Sequence, residues 1–197
     1  MFINYPLILA SVSPRRQQIL TEAGISFIVK SKAVPEIYSP ELSPYEVPLY
    51  LSEIKAEALL EDITNEVVLA ADTIVLLEGR ILEKPADRTH AINMLSELSG
   101  KKHEVITGVT LLNKNKAFSF TDRTDVYFKT LPPEDISYYV DTFKPFDKAG
   151  GYGIQEWIGL IGIEKIDGSF YNVMGLPIHR VIDELIQFPT SKNTIIL

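Results

Sequence analysis

Short apolar runs alternate with longer amphipathic stretches along the 197 residues of this chain, a pattern of interspersed strands and helices. Residues 7–10 read as a short buried strand running straight into a helix, with Ser13 placed to cap it and Pro14 suited to its first position. Gln17, Gln18, Ile19, Leu20 and Ala23 continue that helix, and Gly24 stops it. Residues 27–30 have strand character, and 33–44, rich in Pro, Glu and Ser, form a loop. Ser43-Pro44-Tyr45-Glu46 has capping-box spacing with Pro44 at the first helical position, which predicts a helix from there to about residue 62. Leu51, Ile54, Ala58 and Leu59 make its apolar stripe, and Pro48 bends or delays its first turns. Residues 67–77 are a nearly unbroken run of β-formers, as expected of a central strand buried on both faces. Glu78-Gly79-Arg80 turns the chain into a hairpin that leads out through Pro85. Asp87 caps a helix to residue 98, with Gly100 as its stop. Strands follow at 103–112 and 116–129 around Asn113-Lys114-Asn115, then a helix from Pro132-Pro133 to about 142. Residues 158–166 read as a strand, Asp167-Gly168 as a turn, and Gly175-Leu176-Pro177 as the start of a last helix to about 186. The tail from Pro189 reads as loosely held.

Composition narrows the class. Apolar residues make up 46% and charged residues 23%, which suits a soluble globular chain with one sizeable core or two small lobes; residues 1–197 are expected to form a single domain. No apolar run is long enough to cross a bilayer, and the first nine residues lack a basic segment, so neither a membrane span nor a signal peptide is expected. With no cysteine there is no disulfide and no zinc–thiolate site, and a cytoplasmic location fits. A net charge of −7 argues against a nucleic-acid partner. It still allows a small anion to be bound where the few cations gather.

Three stretches carry candidate chemistry. In the first, Ser11-Val12-Ser13-Pro14-Arg15-Arg16 brings two hydroxyls and two guanidinium groups to a helix start, where unpaired N–H groups favour an anion. A capped helix with two solvated arginines is the plain alternative. In the second, Asp72 interrupts the apolar run 67–77. A carboxylate buried there unpaired costs several kcal/mol, on the order of 3 or more, so it meets a cation, a metal or a donor, or else marks a turn or strand end. In the third, Asp147-Lys148-Ala149-Gly150-Gly151-Tyr152-Gly153-Ile154-Gln155 places glycines beside a lysine, although it matches no dinucleotide or P-loop fingerprint. Lys55 lies next to an apolar stripe, where it either snorkels or points into a cleft. Glu36 reads as a solvated loop acid. His90, His103 and His179 have no metal-ligand spacing and read as structural or exposed. No Ser-His-Asp or Cys-His pattern is present, which disfavours covalent catalysis.

Taken together, these motifs resemble the Maf family of nucleoside triphosphate pyrophosphatases over nearly the whole chain. Ser11-Val12-Ser13-Pro14-Arg15-Arg16, Lys55-Ala56, Ala71-Asp72-Thr73, Glu83-Lys84-Pro85, Thr107-Gly108-Val109, Asp147-Lys148-Ala149-Gly150, Tyr152-Gly153-Ile154-Gln155 and Gly175-Leu176-Pro177 carry the resemblance by their order and spacing. It implies a mixed, twisted β-sheet flanked by helices with a deep central cleft, a Maf/ITPase-like fold, and a homodimer in many members. It also implies hydrolysis of a nucleoside triphosphate between the α and β phosphates with a divalent cation, Mg or Mn. On this reading Asp72 is the catalytic residue, as base or metal ligand, and Glu36 joins it at the metal. Ser11, Arg15, Arg16, Lys55, Thr73, Lys84, Lys148 and Gln155 contact the substrate. Arg15, Thr73 and Gln155 match the branch acting on dTTP and UTP; the sister branch acting on 7-methyl-GTP usually carries Trp where Arg15 stands. Glu156-Trp157 departs from the family pattern, in which Gly commonly follows the Gln, and bears on loop shape and base selection. A nucleotide-binding regulator of septum formation without turnover is the rival reading.

Overall fold

The computed structural model describes residues 3–188, so the tail from Pro189 lies outside the described residues. In chain order the elements are β1 (Leu7–Leu9), α1 (Pro14–Glu22), β2 (Ile28–Val29), α2 (Val47–Glu57), a 3₁₀ turn (Leu60–Asp62), β3 (Val67–Leu77), β4 (Arg80–Leu82) and α3 (Arg88–Leu98). Then come β5 (Lys102–Leu112), β6 (Ala117–Phe128), α4 (Pro133–Phe143), a 3₁₀ turn (Ala149–Gly151), α5 (Trp157–Gly162), β7 (Ile163–Asp167), α6 (Phe170–Met174) and α7 (Ile178–Gln187). The strands hydrogen-bond in the order β2-β1-β3-β5-β6-β7, with β4 on β3. Parallel and antiparallel pairs both occur, so the chain is a mixed-sheet α/β protein with helices between the strands. No described helix is long and apolar enough to cross a membrane.

The described residues divide into two compact units, one of residues 3–72, 107–122 and 175–188, the other of 73–106 and 123–174. In the first, β1 runs parallel to β2 and to the opening of β3, with Leu7 opposite Val67 and Leu9 opposite Leu69. Ile8, Ala10, Ala56, Leu59, Ile63, Val68, Ala70 and Leu112 form one buried cluster that seats α2 on these strands. Gly108 permits a close approach there: a Cβ on it would lie 2.2 Å from the Pro48 carbonyl oxygen, so only glycine lets the start of α2 settle on β5. A hydroxyl relay reinforces the contact, with Ser52 Oγ 2.7 Å from Thr110 Oγ1 and Thr110 Oγ1 3.1 Å from Ser119 Oγ.

In the second unit, β4 folds back antiparallel on the end of β3 and β7 pairs antiparallel with β6. Asp87 caps α3 by accepting from the His90 N–H at 2.8 Å, as its spacing predicted. His103 is buried, with Nε2 2.7 Å from the Tyr152 hydroxyl and its ring edge-on to Phe128.

Several sequence expectations change. The helix expected from Pro44 begins at Val47 instead. Ser43 and Glu46 do bond, the Ser43 N–H donating to Glu46 Oε2 at 3.2 Å, but they close a turn, because Pro48 lacks the N–H that would extend the helical ladder back to Pro44. Ser13 precedes α1 as predicted but makes no side-chain cap; its own N–H donates to Ser11 Oγ at 3.2 Å. Residues 158–166, read as one strand, split into α5 and β7. A short apolar run is ambiguous between the two states, and here the Glu156 carbonyl accepts from the Gly159 N–H at 2.9 Å and starts a helical turn. The short helix α6 was not foreseen.

Candidate active site

The first unit assembles six of the sequence-predicted residues around two structural facts: the abrupt β1-to-α1 turn and the centre of β3. Ser11 leaves the strand end and is buried. Its Oγ accepts from the Ser13 N–H at 3.2 Å and from Arg16 Nη1 at 3.2 Å. With both lone pairs in use, that hydroxyl's remaining capacity is as a donor. Arg15 and Arg16 occupy the first turn of α1, at the positive end of the helix dipole. Arg16 also donates from Nε to the Gly175 carbonyl at 2.8 Å, so one edge of its guanidinium is anchored to the protein. Burial lowers the proton affinity of Arg16, and the carboxylates of Asp72 and Glu36 work against that effect.

Asp72 lies within an unbroken β3, which excludes the reading as a turn residue between two strands. Its side chain is 13% exposed and Oδ1 sits 2.5 Å from the Lys55 ammonium. Lys55, in the last turn of α2, does not snorkel to bulk solvent: it is 17% exposed and also meets Glu36 Oε1 at 2.8 Å. Glu36 is a loop acid that stays 52% exposed while its carboxylate joins this cluster through Lys55. Two carboxylates thus converge on one cation position. Such a donor set suits a hard divalent ion such as Mg or Mn, which holds one or two protein carboxylates and completes its shell with water and phosphate oxygens. No group of three or more metal-binding side chains occurs among the described residues.

The second unit holds Thr73, Lys84, Lys148 and Gln155. Thr73 follows Asp72 on β3 and so faces the opposite side of the strand. Lys84 is exposed after β4, and the Gly150 N–H donates to the Glu83 carbonyl at 3.2 Å, tying this segment to the glycine-rich one. Lys148 is buried and ion-paired, 2.7 Å from Asp147 Oδ1 and 3.2 Å from Glu156 Oε1. Gln155 is exposed and lines a pocket of about 410 Å³ together with Ile154, Leu160, Ile163 and Phe170.

Sequence reasoning missed Tyr139 and the particular use of Glu156. The Tyr139 hydroxyl donates to Glu156 Oε2 and accepts from the Gly153 N–H at 3.0 Å. Burial and the Glu156 carboxylate hold Tyr139 protonated far beyond the ordinary tyrosine range. The departure Glu156-Trp157 was the available signal for Glu156, whereas Tyr139 looks like any apolar-face aromatic of a helix.

The site thus combines, on a mixed α/β fold, arginines at a helix start with two carboxylates around a lysine. The Maf-like protein family model matches residues 6–188, and the chain belongs to the Maf family. A relative from Cytophaga hutchinsonii named dTTP/UTP pyrophosphatase is 52% identical over 189 residues, covering 94% of this chain and 87% of its own length. One of the same name from Christiangramia forsetii is 48% identical over 183 residues, covering 92% and 93% respectively. Among solved structures, the Staphylococcus aureus Ham1 protein aligns at 15% identity with a TM-score of 0.43 over 62% of this chain and 71% of that one.

Proposed function

We propose that this protein is a nucleoside triphosphate pyrophosphatase that hydrolyses dTTP and UTP to the monophosphate and pyrophosphate. One observation carries the reading: a carboxylate, Asp72, stands inside the apolar central strand, paired to Lys55 and in the field of Arg16. The relatives named for this activity, which align over more than nine-tenths of the chain, support it.

In this reading water attacks the α-phosphorus and the bridging oxygen leaves with pyrophosphate. Asp72 takes the proton released by the water. Arg15, Arg16 and Lys55 offset charge on the phosphates and on the departing pyrophosphate, and the Ser11 hydroxyl donates to a phosphate oxygen. Glu36, with Asp72 where that carboxylate serves as ligand instead of base, would hold the divalent cation, Mg or Mn, which when bound would supply Lewis-acid polarisation of the phosphoanhydride. Lys84, Lys148 and Thr73 add donors for the phosphates. Gln155 reads the base: its amide has both a donor and an acceptor, matching the N3–H and carbonyl edge of uracil and thymine. Cytosine reverses that edge, and a site built for one pattern rejects the analogue that leaves its polar groups unpaired.

Pyrophosphate release from a panel of triphosphates at equal concentration, with Mg or Mn, tests this directly. The expected order by kcat/KM places dTTP and UTP well ahead of CTP, the purine triphosphates and 7-methyl-GTP. A best rate with 7-methyl-GTP overturns the branch, and no pyrophosphate from any nucleotide overturns the enzyme.

A further inference from the structure

Residues 153–156 form a tight turn, closed by the Glu156 N–H donating to the Gly153 carbonyl at 3.0 Å. Ile154 and Gln155 are its two central residues; Ile154 is buried and Gln155 projects outward. One hydroxyl grips both ends of this turn. Tyr139 Oη accepts from the Gly153 N–H and donates to the Glu156 carboxylate. The carboxylate in turn packs over Gly153 so closely that a Cβ there would lie 2.8 Å from Glu156 Cδ. The next residue is docked on the same helix: the Trp157 ring meets the ring of Tyr138 edge to face, centroids 4.9 Å apart. Thus both residues of the Glu156-Trp157 departure seat on consecutive tyrosines of α4. The remaining carboxylate oxygen, Oε1, reaches Lys148.

We infer that Tyr139 and Glu156 are positioning residues that set base selection by fixing the turn that presents Gln155. This inference rests on the proposed reading of Gln155 as the group that meets the base edge. The clamp fixes the point from which the Gln155 side chain leaves the backbone, and so the distances at which its amide meets a base edge. Slack in the turn shifts that reach and weakens the hydrogen bonds to the favoured edge more than to an edge that is already mismatched, which lowers the preference. Lys148, drawn into the same carboxylate, links the clamp to the glycine-rich segment.

The test compares UTP with CTP for the wild type, Tyr139→Phe, Glu156→Ala and Glu156→Gln, with kcat and KM resolved for each nucleotide and Tm measured beside them. The expected result is a fall of about tenfold in the UTP-over-CTP preference for Tyr139→Phe and Glu156→Ala, the scale of one buried hydrogen bond left unmade. Glu156→Gln keeps an acceptor for the Tyr139 hydroxyl and should hold the preference within about threefold of wild type. A merely structural role lowers Tm and the active fraction equally for both nucleotides and leaves the ratio unmoved; that outcome overturns the inference. If Tyr139→Phe does not fold, Glu156→Ala decides, since its side chain is 20% exposed. If the wild type cleaves UTP without preferring it to CTP, the inference fails while the hydrolase reading stands. If the wild type cleaves neither, both fall.

Discussion

Replacing Asp72 by Asn removes one negative charge and leaves the shape of the side chain intact. The structure allows the consequences for rate and for stability to be separated. If Asp72 is the proton acceptor, an amide cannot do its work, and kcat falls by about a hundredfold or more, equal to ~2.7 kcal/mol of transition-state stabilisation. Stability responds differently. Lys55 loses its partner at 2.5 Å but keeps Glu36 at 2.8 Å, so the ammonium is not left alone. Both ends of the pair retain some solvent contact, at 17% and 13% exposure. The net loss is therefore on the order of 1 kcal/mol, about 2–4 °C in Tm for a chain of this size. Pyrophosphate release and a thermal melt on the same preparation supply both numbers. A variant that turns over near the wild-type rate while its Tm drops by about 10 °C would refute the reasoning, because it would make Asp72 a purely structural half of an ion pair.

Two further predictions concern the frame that holds the site. Burial pushes the His103 imidazole down from 6.5 to about 4, so the unfolded chain takes up a proton that the native one refuses. The contribution is complete at neutral pH, declines as pH falls from 6.5 to about 4 and levels off below; the gap amounts to ~3 kcal/mol. Urea unfolding of wild type and His103→Gln at pH 7 and pH 4 should show their stability difference change by about that much, and a constant difference contradicts it. Gly108→Ala places a methyl 2.2 Å from the Pro48 carbonyl oxygen, so α2 must lift from β5. The expected cost is on the order of 3 kcal/mol or more, with Lys55 displaced and turnover reduced; an unchanged melt would show that the backbone there yields freely.

Much of the fold was legible in the chain because its signals are local. The bounds of β3 follow from an unbroken β-former run, α1 from Pro14 and Gly24, and α3 from the Asp87 cap. The misreadings have equally local causes. A capping box was overruled by a missing N–H four residues downstream, and an apolar run between Ile158 and Ile166 carried no period able to separate a short helix from a strand. Asp72 stood out for a physical reason, since a carboxylate inside an apolar strand demands a partner. Glu36 did not, because a loop acid has the same sequence signature whether it faces water or a lysine.

The sequence by itself determined which residues could do phosphate chemistry and which segments would be rigid, because charge type, hydrogen-bonding capacity and backbone restriction belong to each residue. Only the tertiary structure decided which of them meet. Lys55 and Asp72 are 17 positions apart and Arg16 and Gly175 are 159 apart, yet each pair is within hydrogen-bond reach. The Tyr139 hydroxyl became a clamp only because packing placed α4 beside the turn at Gly153. Such contacts depend on where buried surfaces come together, and no property of the separate segments encodes that distance.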